Sequence, residues 1–387
     1  MTTSPTPCAS EGEGVFALYV HWPFCVSKCP YCDFNSHVRA QVDQDAWRAA
    51  LLSDMGHEAA RTGGGTLASI FFGGGTPSLM PPATIAAIIA AAGRHWTLAP
   101  DIEITMEANP NSAEAARFAD AAAAGVNRVS IGLQALHDHA LRFLGRAHAA
   151  DEGLRAVDMA QRLFGRVSFD LIYALPGQSE AAWASDLARA IAMGTGHLSL
   201  YQLTIEPGTR FETMVRKGDF IPADPDHGAA LYELTREMTG AAGIPAYEIS
   251  NHARPGEESR HNLIYWRYGD YLGIGPGAHG RVHGRATRRH RKPENWMAAI
   301  DARGHGLDEE TALPAEERMT EALMMGLRLA EGVDLAALAN RLGIQAAFDE
   351  SAARRLVEQG LVRWRDDRIG VTADGMLLLD AILAELL

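Results

Sequence analysis

The sequence predicts an α/β fold, a partial (β/α)6 TIM-like barrel followed by a C-terminal helical, winged-helix-like domain. Three observations support this prediction. Apolar strands alternate with helical stretches along the first half of the chain, as in parallel βα units. The strands are apolar on both faces, which is typical of a sheet covered by helices. Chemically useful residues follow directly after the strand ends, where βα barrels carry their functional groups.

Six strand–helix units are predicted before the pattern changes near residue 206. We expect the strands at 16–21, 67–72, 102–107, 128–132, 167–173 and 197–203. Helical spacing of apolar residues is found between them, at 45–62, 82–93, 151–163 and 181–193. Because six units fit rather than eight, the barrel is expected to be open.

The rest of the chain predicts a different architecture. A helix is expected at 226–239 and a short strand at 246–249, before a segment rich in Gly, Tyr, Trp and His. From residue 315 onward the pattern indicates three helices, a hairpin and a last helix. We therefore predict four parts, namely a disordered tail at 1–14, the barrel at 15–222, a barrel-completing region at 223–310 and a winged-helix-like domain at 311–387.

Composition and charge exclude several classes of protein. The 387 residues are 47% hydrophobic and 21% charged, which is ordinary for a globular protein. The net charge of −13 repels phosphate backbones, so we expect no nucleic-acid partner. No apolar run approaches the ~18 residues that a membrane span needs, and the N-terminus has no features of a secretory signal.

Three of the four cysteines form a cluster, CVSKCPYC at 25–32. Cysteines this close in sequence close no useful disulfide loop, and three thiolates repel one another without a cation, so the cluster indicates a metal in a reducing cytoplasm. Structural zinc would need a fourth ligand such as His21, His37 or Cys8. An iron–sulfur cluster can use three cysteines and leave one iron open, and the C-x3-C-x2-C spacing favours it.

The longer run YVHWPFCVSKCPYCDF at 19–34 resembles the opening of radical S-adenosylmethionine (SAM) enzymes of the oxygen-independent coproporphyrinogen oxidase class. Within that class it is most similar to the HemW-type heme-chaperone branch. The resemblance covers about residues 15–380 through further motifs in order, GGGTPS (73–78), EANP (107–110), RVSIGLQ (128–134), LGRAH (144–148), DLIYALPGQ (170–178), YEISNHA (247–253) and HNLIYW (261–266).

The resemblance implies that Cys25, Cys29 and Cys32 hold a [4Fe–4S] cluster whose fourth iron is chelated by the amino and carboxylate groups of SAM. It further implies that an electron from the cluster can cleave the sulfonium bond and release a 5′-deoxyadenosyl radical. The sequence leaves open whether SAM is turned over or only bound, and therefore whether the protein is an enzyme.

The resemblance also assigns residues to SAM. Glycines let a ligand approach the backbone closely, and we expect amides of the run that includes Gly74, Gly75 and Thr76 to face the SAM carboxylate. Glu107, after the next strand, is expected to accept the SAM ammonium. A plain tight turn and an ordinary salt-bridge partner are the alternatives that residue type alone allows for these positions.

Four more positions match SAM-contacting residues of the family. Gln134 and Asp170 suit ribose hydroxyls, and Arg146 suits a carboxylate. Tyr19, in the first strand, is the fourth. Without the resemblance, these residues would be the ordinary polar lining of a barrel mouth and a strand aromatic.

The motif HNLIYW implies heme as a third ligand. Histidine is a common axial ligand of heme iron, and Tyr265 and Trp266 could stack on a porphyrin face. His261 is therefore the predicted heme ligand. The alternative is a core histidine whose nitrogens are paired within the protein.

One departure from the family pattern separates two functions. The coproporphyrinogen oxidases proper carry C-x3-C-x2-C-x-C, whereas Phe34 stands at the fourth position here. The implied function is therefore a heme chaperone that delivers heme to acceptor proteins such as respiratory enzymes. A transient membrane-associated partner and a homodimer are further expectations. Radical decarboxylation of coproporphyrinogen III is the alternative, and a zinc-stabilised binding module that uses the C-terminal domain is a third.

Overall fold

The computed structural model describes residues 14–39 and 41–387. The predicted disordered tail at 1–14, Gly14 apart, lies outside the described residues, and so does Cys8. The predicted fold class is confirmed, because a large, mostly parallel sheet is followed by a helical C-terminal unit with a small sheet of its own. The strands are β1 (Val15–Trp22), β2 (Phe24–Cys25), β3 (His37–Val38), β4 (Thr66–Gly74), β5 (Thr97–Ala108), β6 (Arg128–Gln134), β7 (Arg166–Tyr173), β8 (His197–Gln202), β9 (Asn251–Ala253), β10 (Asp270–Ile274), β11 (His279–Val282), β12 (Arg285–Arg289), β13 (Leu307–Ala312), β14 (Val333–Asp334), β15 (Val362–Arg365) and β16 (Arg368–Val371).

The helices cover the sheet and build the C-terminal unit. Short 3-10 helices occur at Pro77–Leu79 and Gly375–Leu378. The α-helices are α1 (Gln44–Thr62), α2 (Pro82–His95), α3 (Ser112–Ala115), α4 (Phe118–Ala123), α5 (Asp138–Phe143), α6 (Ala150–Leu163), α7 (Glu180–Ala192), α8 (Arg210–Lys217), α9 (Pro225–Ala241), α10 (Arg260–Trp266), α11 (Pro293–Arg303), α12 (Ala315–Gly326), α13 (Leu335–Leu342), α14 (Glu350–Glu358) and α15 (Leu379–Leu386).

The main sheet has eleven strands in the order β13-β12-β11-β10-β1-β4-β5-β6-β7-β8-β9. The six strands from β1 to β8 in this order are parallel, and they are the six predicted units. β9 pairs antiparallel with β8 and closes one edge. At the other edge β10 is parallel to β1, and an antiparallel extension follows. All six parallel strands therefore end at the same rim, where the site lies.

One predicted strand is wrong. The segment 246–249 forms a single bridge, between Ala246 and His252, and the strand begins only at Asn251. The side-chain amide of Asn251 donates to the buried carboxylate of Glu248, and this local bond holds the backbone in a turn. Side chains that bond to groups a few residues away compete with strand pairing in this way.

Local signals explain where the helices begin and end. The carboxylate of Asp43 accepts from the amide of Ala46 at 3.0 Å and caps α1, as expected for Asp at an N-cap. Gly63 ends the helix in the left-handed region with φ 66°, which glycine adopts at no steric cost. Proline occupies the first turn of α2, where its missing N–H costs nothing.

The sheet has an apolar outer face and a more polar inner face. On β4, Ile70 and Phe72 belong to the main core between sheet and helices, whereas Ser69 alternates to the inner face. The inner face carries the buried Glu103, which pairs with Arg166 at 2.6 Å. The barrel therefore encloses polar groups that need partners.

The C-terminal unit has its own core. Apolar residues of α12 to α15 pack on the three-stranded sheet β14-β16-β15. Its 3-10 helix Gly375–Leu378 reaches the open end of the barrel and forms part of the cavity wall there. The four domain boundaries remain predictions. Across 14–39 and 41–387, no helix is long and apolar enough to span a bilayer.

Candidate functional site

A cavity of about 1140 Å³ opens at the rim where the parallel strands end. Its size exceeds the roughly 300–1,000 Å³ of an ordinary small-molecule pocket, so it has room for more than one ligand. Ten of the twelve residues predicted from the sequence line it, namely Cys25, Cys29, Cys32, Gly74, Gly75, Thr76, Glu107, Gln134, Arg146 and Asp170.

The three clustered cysteines are free thiols at the edge of this cavity. Burial raises the pKa of Cys25 and of Cys32, although hydrogen bonds to both sulfurs oppose it. Within the described residues, no three His, Cys, Asp or Glu side chains converge to hold a single metal ion. A [4Fe–4S] cubane instead takes one thiolate on each of three irons, so its three sulfurs stand apart around a larger body.

Each cysteine sulfur has at least one hydrogen-bond partner from a side chain. Thr76 Oγ1 donates to Cys25 Sγ at 3.4 Å. Arg146 Nη1 donates to Cys29 Sγ, also at 3.4 Å. The hydroxyl of Ser36 lies 3.9 Å from the third sulfur, Cys32 Sγ. Donors aimed at sulfur suit thiolates that ligate iron, because such bonds adjust the cluster's reduction potential.

The histidines considered as zinc ligands are engaged elsewhere. His21 Nε2 donates to the carbonyl of Asn35 at 3.0 Å, so its Nδ1 accepts from the hydroxyl of Tyr19. His37 Nε2 lies 3.2 Å from the Asn35 side-chain oxygen. Both ring nitrogens of His21 therefore have hydrogen-bond partners, and His21 is not placed to act as a zinc ligand.

The glycine run lines the cavity but not in the way expected. Gly74 has φ 113°, and a Cβ on Gly75 would lie 2.7 Å from the carbonyl oxygen of Phe24. The amide of Gly74 donates to Glu107, and those of Gly75 and Thr76 donate to the backbone carbonyls of Trp22 and Phe24, just before the first cysteine. The expectation that these amides face a ligand carboxylate is wrong, because all three already have acceptors within the protein.

Two partly buried carboxyl groups face the same cavity. Burial and the charge of Asp170 raise the pKa of Glu107 to about 8, against the hydrogen bond from the Gly74 amide. Burial also raises the pKa of Asp170 to about 6, although hydroxyls and the charge of Arg128 oppose the shift. Two carboxyl groups that raise each other's cost of ionisation suit a ligand that brings positive charge.

The raised pKa of Glu107 makes stability depend on pH. The native state keeps a proton that the unfolded chain releases above about pH 4.5, so this contribution is full below that pH and is lost as the pH rises through about 8. As the pH rises from about 5 to about 9, we expect the unfolding free energy of Glu107→Gln to increase by on the order of 2–4 kcal/mol relative to that of the parent. Urea unfolding at both pH values measures it.

The matched control for this pH dependence is Glu233→Gln, which removes an exposed carboxyl on α9. Its unfolding free energy should track that of the parent across the pH range. A difference between Glu107→Gln and the parent that does not change with pH would show that Glu107 is ionised throughout.

Gln134 and Arg146 reach the cavity from the two sides of one loop. Gln134 has φ 70°, a left-handed conformation that is uncommon for this residue and typical of functional sites. Arg146 Nη2 donates to the side chain of Asn109 at 2.6 Å and to the carbonyl of Gly132 at 2.8 Å. Its Nε–H is buried and has no hydrogen-bond partner among the described residues.

Tyr19 and His261 do not line the cavity. The Tyr19 ring stacks on Phe71, on the inner face of the barrel. His261 is 3% exposed, stacks on Phe71 with ring centroids 4.8 Å apart, and contacts Ser69 Oγ through Nδ1 at 2.9 Å. Its Nε2 has no hydrogen-bond partner. Burial lowers its pKa to about 3, so the imidazole is neutral.

Two functional residues were not assigned from the sequence. Asn109 belongs to the motif EANP, and its side chain contacts both Thr76 and Arg146. Glu114, buried in α3, accepts from the backbone amide and the side-chain amide of Asn109. The position of Asn109 two residues after Glu107 was a usable signal. Glu114 gave none, because nothing in its spacing connects it with the cysteines.

Family models match two parts of the chain. The model described as the Radical SAM superfamily matches residues 19–190. The model described as the HemN C-terminal domain matches residues 313–378. Residues 191–312 lie between the two matches.

Relatives match over nearly the whole length. The radical S-adenosyl methionine domain-containing protein 1, mitochondrial, of Bos taurus is 41% identical over 99% of this chain and 89% of its own. The heme chaperone HemW of Escherichia coli (strain K12) is 39% identical over 95% of this chain and 97% of its own. The solved structure of coproporphyrinogen III oxidase (HemN) from Escherichia coli, a radical SAM enzyme, has a TM-score of 0.81 at 23% identity, covering 97% of this chain and 91% of that one. The last similarity concerns the fold alone.

Proposed function

The chain belongs to the radical SAM superfamily, in the branch of HemW-type heme chaperones, and from this membership we propose that it binds a [4Fe–4S] cluster, SAM and heme and delivers the heme to acceptor proteins. The observation that carries the proposal is the cavity that three free cysteines share with two partly buried carboxyl groups and Arg146. A reducing compartment such as the cytoplasm suits these thiols.

The chain's own residues fit the cluster and SAM. Cys25, Cys29 and Cys32 would hold three irons. The bound cluster supplies an open iron and an electron for SAM. Glu107 and Asp170, whose carboxyl groups line the cavity, would receive the positive charge and the hydroxyl groups of SAM. The guanidinium of Arg146, which lines the same cavity, would pair with the SAM carboxylate.

The structure gives His261 a tautomer that suits iron. A buried N–H without a partner costs more than an unfilled lone pair, so the proton is on Nδ1, where it donates to Ser69. Nε2 then presents a lone pair, and the hydrogen bond at Nδ1 orients the ring, as in many metal sites. Because Phe71 and Tyr265 cover this ring, heme coordination at His261 requires helix α10 to move away from the sheet.

Hemin titration of the cluster-loaded protein tests this function. We expect a shifted Soret band in the parent and binding weaker by about tenfold or more in His261→Ala. His252→Ala is the matched control, because His252 is also buried and neutral and contacts Thr239 Oγ1 through Nδ1 at 2.9 Å. Free-hemin spectra with the parent would contradict the chaperone proposal, and unchanged affinity in His261→Ala would remove the ligand assignment alone.

The same preparation tests the alternative of a coproporphyrinogen oxidase. Phe34, which is 60% exposed, stands at the cavity wall where that class carries a fourth cysteine. Anaerobic incubation with coproporphyrinogen III, SAM and reductant is expected to leave the substrate unchanged. Formation of protoporphyrinogen would establish the oxidase instead. Transfer of bound heme to a respiratory enzyme in membrane vesicles tests the delivery step.

A further inference from the structure

Asn109 lies between the side chains that donate to two of the cysteine sulfurs. Its Nδ2 donates to Thr76 Oγ1 at 3.2 Å, and its Oδ1 accepts from Arg146 Nη2 at 2.6 Å. Thr76 in turn donates to Cys25 and Arg146 to Cys29. A continuous hydrogen-bonded chain therefore joins two cysteine sulfurs through one amide.

The amide has a single orientation that satisfies its neighbours. The guanidinium of Arg146 can only donate, so it must meet the Asn109 oxygen. The carboxylate of Glu114 can only accept, so it must meet the Asn109 nitrogen, at 3.2 Å from Oε1. Glu114 also accepts from the backbone amide of Asn109 at 2.9 Å and is 3% exposed. The buried carboxylate of Glu114 thus holds the Asn109 side-chain amide in this orientation.

This orientation determines what the two donors do. Because the Thr76 oxygen accepts from Asn109, the single hydroxyl proton of Thr76 is directed to Cys25 Sγ. Because Arg146 Nη2 is shared between Asn109 and the carbonyl of Gly132, the guanidinium plane is fixed and Nη1 points at Cys29. Without the amide, the Thr76 hydroxyl would be free to turn to other acceptors, and Arg146 Nη2 would keep only the carbonyl of Gly132.

We propose that Asn109 is a positioning residue that holds Thr76 on Cys25 and Arg146 on Cys29, and thereby sets the reduction potential of a cluster bound by these thiolates. The inference rests on the proposed function, since it requires the cluster. Hydrogen bonds to ligand sulfurs stabilise the more negative, reduced form of an iron–sulfur cluster. Loss of Asn109 therefore makes the cluster harder to reduce.

The test is a redox titration of the anaerobically reconstituted protein, with and without SAM, followed by the electron paramagnetic resonance signal of the reduced cluster. At the potential where half of the parent's clusters are reduced, we expect about a sixth of the clusters to be reduced in Asn109→Ala. This is the change produced when the equilibrium constant for reduction falls about fivefold. Thr76→Val, which removes the hydroxyl, should shift in the same direction. Thr76→Ser, which keeps it, should titrate like the parent.

Asn127→Ala is the matched control for a purely structural loss. The Asn127 side chain also makes two hydrogen bonds, to the amide of Ile104 and the carbonyl of Ile102 in the middle of β5, and Asn127 does not line the cavity. Its potential should equal that of the parent. Equal potentials for Asn109→Ala and Asn127→Ala would overturn the inference.

Two further outcomes separate this inference from the proposed function. If Asn109→Ala loads no cluster, the two Thr76 variants still test the inference. Equal potentials for Thr76→Val and Thr76→Ser would then overturn it. If the parent itself binds no cluster, the proposed function fails and the inference fails with it. A cluster of normal potential in every variant overturns the inference alone.

Discussion

Cys29→Ala is expected to lose nearly all cluster iron and sulfide while the barrel stays folded. The proposed cubane has one open iron already, and removal of one of its three thiolates would leave two of its four irons without a protein ligand. Cys29 lies in the cysteine loop rather than in a sheet strand, so its side chain supports no core packing. Iron and sulfide assays and the visible absorption spectrum after anaerobic reconstitution measure the loss.

Cys8→Ala is the control for this experiment, because Cys8 is the one cysteine outside the cluster. It should retain the iron of the parent, and circular dichroism should show the same helix content in both variants. Full retention of iron and sulfide in Cys29→Ala would remove this residue from the ligand set. It would also make the C-x3-C-x2-C pattern a coincidence.

Asp54→Ala is expected to cost about 3–5 kcal/mol of stability, the largest structural effect we predict. Asp54 is fully buried on α1 and forms an ion pair with Arg289, which is also fully buried. Its carboxylate further accepts from the amides of Gly275 and Gly306 and from Trp296 Nε1. The substitution leaves these donors without an acceptor in a site that water does not reach.

Two further variants provide comparisons for the loss of stability in Asp54→Ala. Asp54→Asn keeps one oxygen acceptor and should lose less than Asp54→Ala. Asp45→Ala, on the same helix but with its side chain 83% exposed in a pair with Arg48, should change stability by less than about 1 kcal/mol. Urea unfolding followed by circular dichroism gives all three values. A loss in Asp54→Ala no larger than that in Asp45→Ala would show that the buried network is not what attaches the antiparallel extension to α1.

The parallel part of the fold could be predicted from the sequence because its signals are local. Each buried strand is a short apolar run followed by a stretch with helical spacing of apolar residues, so neither signal depends on distant residues. The antiparallel extension β10 to β13 could not be predicted, since its strands are short and partly exposed. The strand expected at 246–249 was wrong for a related reason, because the Asn251–Glu248 bond outweighed a weak strand preference.

In the candidate site, too, some features could be predicted from the sequence and others could not. Three cysteines within eight residues stay close together whatever the rest of the fold, and a carboxyl or glycine that ends a parallel strand must reach the common rim. The sequence by itself therefore determined the barrel, the cysteine cluster and the residues around one cavity.

Only the tertiary structure decided what those residues contact. A hydrogen bond joins Arg146, which follows β6, to Asn109, which follows β5 and also contacts Glu114. The amides of Gly75 and Thr76 donate to the backbone carbonyls of Trp22 and Phe24. His261 lies beneath Phe71 because α10 folds back into the barrel. The physical reason is that hydrogen bonds and burial depend on distances between segments far apart in the chain, whereas strand and helix patterns, caps and cysteine spacing depend on neighbours along it.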